Sequence, residues 1–167
     1  MAEAIGAPRI ALGHTADDRA ETILLNLLRG TGTRGLGAMR LRSGPIVRPL
    51  LQATRDMTGQ YCDSVGIQPR WDSLNADAQF QRNRIRAEVL PYLRAYFNPR
   101  ITEALDRLAD VAAEESDYLD CVAEETLARL CRRPFSGSLT IARDDLRALP
   151  LAIRRRLVRA TVARISG

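Results

Sequence analysis

Arg9-Ile10-Ala11-Leu12-Gly13-His14-Thr15-Ala16-Asp17-Asp18-Arg19-Ala20-Glu21-Thr22-Ile23-Leu24-Leu25-Asn26-Leu27-Leu28-Arg29-Gly30 decides how this chain folds. Arg9 to Leu12 is short, mostly apolar and closed by Gly13, which predicts a buried strand. Thr15 is placed to cap a helix, with Asp18 three residues on completing a capping box. Ala20, Ile23, Leu24, Leu27 and Leu28 recur at helical spacing and predict one apolar face. Gly30 is a natural stop. A strand that runs directly into a capped helix is the repeating unit of a doubly wound α/β sheet. Ligands in such sheets bind beyond the carboxyl ends of the strands, where His14 stands.

Outward from this unit, Gly30 to Gly37 (GTGTRGLG) reads as a flexible loop and Ile46-Val47-Arg48 as a short extended piece ended by Pro49. A second helix is predicted over Thr54 to Val65, closed by Gly66. Gln68 to Asp77 is polar and irregular. A third helix spans Gln79 to Leu90 and ends at Pro91. Asn98-Pro99 marks a boundary, with Asn98 as cap and Pro99 in the first turn of the next helix. From Arg100, the residues Ile101, Leu105, Leu108, Val111 or Ala112, Leu119, Val122 and Leu127 predict one long amphipathic helix to Leu130, acidic on its other face. Pro134 to Gly137 breaks it, Ser138 to Ile141 suggests a short strand, and two more helices come after, split at Leu149-Pro150, the second over Leu151 to Ile165.

All 25 basic residues are arginine, and the net charge is +5. Arginine offers a planar fork of donors that suits phosphate. A GC-rich genome, which writes arginine for lysine, explains the missing lysine, but not the placement of the charges. Residues 1–98 hold 13 Arg and 9 acids, 99–131 hold 3 and 9, and 132–167 hold 9 and 2. That alternation predicts separate faces or modules, and the division expected is 1–98, a linker helix 99–131, and a basic, mainly helical segment 132–167. Cys62, Cys121 and Cys131 lack CxxC spacing, which argues against a disulfide framework or a zinc site and fits a reducing cytoplasm. No apolar run approaches the roughly 20 residues of a membrane span, and no signal peptide is visible at Met1 to Arg9.

Four constellations carry possible chemistry. Asp18 and Glu21 lie three apart on a helix, hence side by side, with His14 just upstream. Together they suit binding a cation, positioning an amine or moving a proton. Each alone has an ordinary structural reading, since acids favour a helix's first turn. Gly30-Thr31-Gly32-Thr33-Arg34-Gly35 matches G-x-G-x-x-G but comes after a helix, so it is no dinucleotide fingerprint. It reads either as a phosphate-facing loop carrying Arg34 or as a glycine-rich helix exit. In Arg82-Asn83-Arg84-Ile85-Arg86, Arg82 and Arg86 share a helix face and Arg84 points elsewhere. These arginines suit a solvated surface or, with Asp72, Asn75 and Asp77 upstream, a charge-paired pocket. Arg154, Arg155, Arg156 and Arg159 make either a solvated helix face or an RNA-backbone contact.

In series, GHTADDRAET (13–22), LLRGTGTRGLGAM (27–39), VRPLL (47–51) and RNRIRAEVLPYL (82–93) resemble the tRNA(Ile)-lysidine synthetases of the PP-loop (N-type ATP pyrophosphatase) superfamily. The likeness covers about residues 9–98. It implies part of an adenine nucleotide alpha hydrolase-like α/β domain, joined to a helical linker and second domain. It implies an enzyme that uses ATP, with Mg2+, to adenylate the C2 carbonyl of the wobble cytidine in tRNA(Ile) with a CAU anticodon. The side-chain amine of L-lysine then displaces AMP. By position, His14 corresponds to the histidine near the reacting phosphate or base, Asp18 and Glu21 to carboxylates holding the lysine ammonium, and Arg82 to a supporting arginine. Arg34, Arg84 and Arg86 are candidates for RNA contact.

Asp72-Ser73-Leu74-Asn75 departs from the family's Asp-x-(Ser/Thr)-Asn by placing Leu74 at the hydroxyl position. The family's S-G-G-x-D-S loop, which cradles the pyrophosphate of ATP, has no counterpart in the sequence. The expectation is therefore a piece of the enzyme that binds no ATP by itself, is inactive alone, and exposes sheet edges and apolar surface. Two other readings stand beside it: a noncatalytic tRNA-binding module, and a related PP-loop tRNA-modifying enzyme such as a 2-thiolation protein, for which the cysteines are poorly spaced.

Overall fold

Hydrogen-bonded strand pairing is confined to short segments in the computed structural model of the chain, which describes residues 5–70, 81–131 and 139–166. β1 (Ile10–Ala11) pairs in parallel with β3 (Ile46–Val47), and β3 pairs antiparallel with β2 (Arg42–Ser43), giving the order β1-β3-β2. The extended piece at 46–47 is where its sequence placed it; β2 is an addition, joined to β3 through Gly44 and Pro45. β1 differs from expectation in burial. It lies at the sheet edge among the described residues, and both its side chains are exposed, because only β3 covers it.

α1 (Ala16–Leu28) is capped as its sequence dictates. Thr15 Oγ1 accepts from the Asp18 backbone N–H at 3.4 Å, while Asp18 Oδ2 accepts from the Thr15 N–H at 2.8 Å. The helix stops at Arg29, and Gly30 takes the left-handed conformation (φ +75°) that releases the chain. Its buried face is narrower than predicted. Ala20, Ile23 and Leu24 are buried, but Leu27 and Leu28 face outward at the last turn. Gly30 to Gly37 is not simply a loop, since Thr33–Leu36 forms a helical turn, α2. α3 (Arg55–Ser64) starts at the predicted cap, Thr54, whose hydroxyl accepts from Met57 N.

The third helix does not end at Pro91. α4 (Gln81–Arg84) passes into a π-helical segment (Ile85–Val89) and then α5 (Leu90–Tyr96). The Leu90 N–H reaches back five residues to Ile85 O. This widened turn puts Pro91 in the opening turn of α5, where its missing N–H is harmless. Asn98 accepts from the Arg100 N–H at 2.9 Å, closing a turn that leads into α6 (Ile101–Leu130).

The chain packs as two units, Met1–Ala113 and Glu114–Gly167, divided inside α6. In the first, Ala20, Ile23 and Leu24 of α1 meet Ile85, Leu90, Leu105 and Ala109. The buried stripe of α6 is built from small residues, Thr102, Ala109 and Ala112, with Leu105; Leu108 and Val111 are about half exposed. Small side chains are selected where another backbone comes close. In the second unit, Ala123 and Leu127 of α6 are buried, as are Ile153 and Leu157 of α8 (Leu151–Ser166). α7 (Arg143–Ala148) precedes α8 across Leu149-Pro150, as predicted. Thr140 makes no more than an isolated bridge where a strand over Ser138 to Ile141 was expected; Ser138, like Pro134 to Gly137, lies outside the described residues.

The C-terminal arginine cluster is not one solvated face. Arg156 is buried and donates to Ser116 O at 3.0 Å and Asp120 Oδ1 at 2.6 Å. Arg154 donates to Arg147 O and Leu149 O, closing the end of α7. Arg155 and Arg159 remain exposed. No described helix is long and apolar enough to cross a membrane.

Candidate functional site: an arginine–carboxylate cluster at the start of α1

Because β1 and β3 are parallel, their carboxyl ends open on the same side. Leu12 N donates to Val47 O at 2.9 Å, and from that edge one chain segment delivers His14 and the other Arg48. The two meet there, with Arg48 Nε donating to His14 Nδ1 at 3.1 Å. The adjoining starts of α1 and α3 are tied together by Ala16 N to Ala53 O at 2.9 Å and Arg55 N to Asp17 Oδ2 at 2.8 Å.

Within this frame, two carboxylates of α1 are engaged by three guanidinium groups. Glu21 has no exposed side-chain surface. Its Oε1 accepts from Arg86 Nε at 2.7 Å and its Oε2 from Arg82 Nε at 2.9 Å, with Arg55 3.1 Å from Oε1. Asp18 Oδ1 accepts from Arg55 at 2.8 Å, Arg82 at 3.2 Å and Arg86 at 3.4 Å. Its Oδ2 is taken by Thr15. All four carboxylate oxygens are thus occupied. The five charged groups sum to one excess positive charge.

Burial on its own raises the Asp18 and Glu21 pKa values. The bonds from Thr15 to Asp18 and from Arg86 and Arg82 to Glu21, with the Arg55 charge, outweigh it and hold both carboxyls below their ordinary 3.8 and 4.5. Arg86 is raised in turn by its bond to Glu21. A lowered native pKa stabilises the fold above the unfolded value, and that stabilisation is lost as pH falls through the native one. The denaturation midpoint should therefore drop on acidification from 4.5 downward. An Asp18→Asn, Glu21→Gln double variant should show a flatter dependence in chemical denaturation; equal slopes would refute this assignment.

The structure brings together His14, Asp18, Glu21, Arg82 and Arg86 on two neighbouring parts of one edge. It leaves two other arginines outside. Arg84 is exposed and pairs only loosely with Glu88, at 3.6 Å, one turn along. Arg34 is exposed on α2, where the N–H groups of Gly35, Leu36 and Gly37 are spent on Gly32 and Thr33 carbonyls. Asp72, Asn75 and Asp77, expected near Arg82, lie outside the described residues.

Two participants escaped sequence reasoning. Arg55 directly succeeds the recognisable cap Thr54, so its position was available, but its partners sit 34 to 37 residues away in sequence. Arg19, on the side of α1 that meets α6, is buried and pairs with Asp106 (2.6 Å) and Asp110 of α6. Two acids of α6 thus serve as counter-ions to a buried charge, Asp106 largely covered and Asp110 still open to water. Among the described residues, no group of three or more His, Cys, Asp or Glu is arranged to hold a metal ion, and no disulfide joins Cys62, Cys121 or Cys131.

Residues 1–93 match the family model described as the PP-loop domain. Over 164 residues the chain is 43% identical to a tRNA(Ile)-lysidine synthase of Gloeobacter violaceus, covering 95% of this chain and 49% of that protein. It is 37% identical to the tRNA(Ile)-lysidine synthase of Caldanaerobacter subterraneus subsp. tengcongensis, covering 98% and 35%. It is 40% identical to that of Symbiobacterium thermophilum, covering 100% and 36%. The chain thus spans a third to a half of the length of these curated relatives.

Proposed function

The chain belongs to the PP-loop domain family, and from that premise we propose that it is part of a tRNA(Ile)-lysidine synthase. The enzyme would ligate L-lysine to C2 of the wobble cytidine of tRNA(Ile) bearing a CAU anticodon, with ATP as the co-substrate. The observation that carries this reading is the convergence of segments 13–22 and 82–93 on one ion cluster, in a chain similar to curated lysidine synthases over nearly its whole length.

The chemistry needs an activated carbonyl, an oriented amine and a stabilised departing phosphate. ATP transfers its adenylyl group to the C2 oxygen with loss of pyrophosphate. The lysine amine then attacks C2, loses a proton, and AMP leaves. We assign orientation of the amine to Asp18 and Glu21. Their oxygens are already engaged by guanidinium groups, so an incoming ammonium must exchange with one of them. We assign stabilisation of the phosphate charge to His14 and to Arg82, supported by the cluster's excess positive charge. Arg34, Arg84 and Arg86 are assigned to RNA contact; Arg84 and Arg34 are exposed enough for it, whereas Arg86 reaches RNA only from within the cluster. Magnesium would accompany ATP, and Asp18 and Glu21 are assigned to the amine rather than to the metal. We keep the division 1–98, 99–131 and 132–167 as the functional one; it leaves α6 whole, whereas the packing units divide between Ala113 and Glu114.

The test is incorporation of labelled lysine into tRNA(Ile) with the CAU anticodon, for this chain and for a form extended to the length of the curated relatives. Incorporation by the extended form that requires ATP and is lost when the anticodon is changed supports the proposal. A folded extended form that binds tRNA but never incorporates lysine would leave a noncatalytic RNA-binding role instead.

A further inference from the structure

Three guanidinium groups meet Asp18 and Glu21, and they are not equivalent. Arg82 holds at two points, with Nε 2.9 Å from Glu21 Oε2 and Nη2 3.2 Å from Asp18 Oδ1. Arg86 also holds at two, with Nε 2.7 Å from Glu21 Oε1 and Nη2 3.0 Å from Glu21 Oε2. Among the described residues, the Arg55 side chain engages the cluster through a single nitrogen. Its Nη2 lies 2.8 Å from Asp18 Oδ1 and 3.1 Å from Glu21 Oε1, so one cationic nitrogen bridges the two carboxylates. That position suits a primary ammonium, a compact point charge with three N–H donors.

Arg55 can also leave without undoing the site. Its side chain is 38% exposed, so it has water to turn into. The start of α3 does not depend on its guanidinium: the Arg55 backbone N–H is held by Asp17 Oδ2 at 2.8 Å, and Thr54 caps the helix. With Arg55 turned outward, Arg82 and Arg86 still reach both carboxylates. The charges then balance, two acids against two guanidiniums. An ammonium that arrives with Arg55 in place would raise the excess from one positive charge to two beside the fully buried Glu21, where like charges repel strongly. An ammonium that replaces Arg55 leaves the charge of the cluster as it was.

We propose that Arg55 is a resident stand-in for the substrate ammonium: its Nη2 fills the bridging position between Asp18 and Glu21, and L-lysine binds by exchanging with it. This rests on the reading of the chain as part of a lysine-ligating enzyme. The two carboxylates thus keep a bridging cation between turnovers. The apparent affinity for lysine is scaled down by the fraction of molecules in which Arg55 has swung out. Arg55 thereby sets the lysine concentration at which the enzyme works, through occupancy of the site rather than through contact with the reacting atoms.

The experiment measures kcat and the KM for lysine in the form extended to the length of the curated relatives. Arg55→Ala should lower the KM for lysine by about 10-fold, as for a position that Arg55 fills in roughly nine molecules of ten, and raise kcat/KM with it. Arg55→Lys returns an ammonium to the same place and should keep the KM near the parent value. An arginine that only supports the structure predicts the opposite sign for alanine, a higher KM and a lower kcat/KM. Guanidinium ion, at concentrations too low to unfold the protein, should compete with lysine in Arg55→Ala and not in the parent. The exchange is overturned if Arg55→Ala raises the KM or leaves it as it was, if Arg55→Lys lowers it as far as alanine does, or if guanidinium inhibits both proteins alike. Should the alanine variant not fold, Arg55→Gln makes the same comparison with a longer, uncharged side chain. If the extended parent folds but incorporates no lysine, the ligase reading fails first and takes the exchange with it.

Discussion

Replacing Glu21 by alanine is expected to be among the most damaging single changes in the first unit, lowering its stability by about 3 kcal/mol. Glu21 is wholly buried and accepts from Arg82 and Arg86, with Arg55 also in contact. Removing it leaves cationic groups around an empty space. The cost should fall at the lower end of the range for a broken buried pair, because the three guanidiniums are about 30–40% exposed and can turn toward water. Glu21→Gln keeps the shape but sets an amide donor against guanidinium donors, so it should recover only part of the loss. Asp63→Asn, exposed near the end of α3, serves as the neutral control. Activity should fall further than stability alone explains. Arg82 and Arg86 are aimed by this carboxylate, and displacing such groups by about 1 Å costs on the order of 100-fold. Urea denaturation and lysine ligation by the extended protein measure the two effects. A Glu21→Ala protein as stable and as active as the parent would remove the cluster from both roles.

Gly37→Ala should be nearly as harmful to stability, though it adds only a methyl group. A Cβ built on Gly37 would lie 2.7 Å from both the Ala113 N and Cα and 2.8 Å from its Cβ. The obstruction is backbone inside a continuous helix, so no side chain can swing away. Overpacking of this kind costs about 1–3 kcal/mol, and an immovable neighbour places it near the upper end. Gly32→Ala, five residues earlier in the same glycine-rich segment, meets nothing within 4 Å and should be close to neutral. The comparison is made by thermal denaturation of the two variants. Equal midpoints would mean that α6 does not press on this segment as described.

The cap of α1, the start of α3 and the reach of α6 were legible because each is written locally: a hydroxyl at a helix start, a glycine at its end, a sustained helical period. Leu27 and Leu28 had the right period and still face outward, since burial depends on what packs against the last turn and not on period alone. Pro91 has a clear local meaning, yet the π-helical turn before it lets the helix continue. The site divides in the same way. Asp18 and Glu21 stand together by helical spacing, as do Arg82 and Arg86. That these two pairs meet, and that Arg55 joins them, depends on contacts across 34 to 68 residues of chain.

By itself, then, the sequence determined the family, most of the helices and the pairs of like charges on single helix faces, because spacing within one element suffices for those. Only the tertiary structure decided that the carboxylates are saturated by arginines, that the acidic face of α6 neutralises a buried Arg19, and that Gly37 is glycine for lack of room. Each of these is a relation between distant segments, where burial sharpens electrostatics and close packing leaves no space, and no local pattern records it.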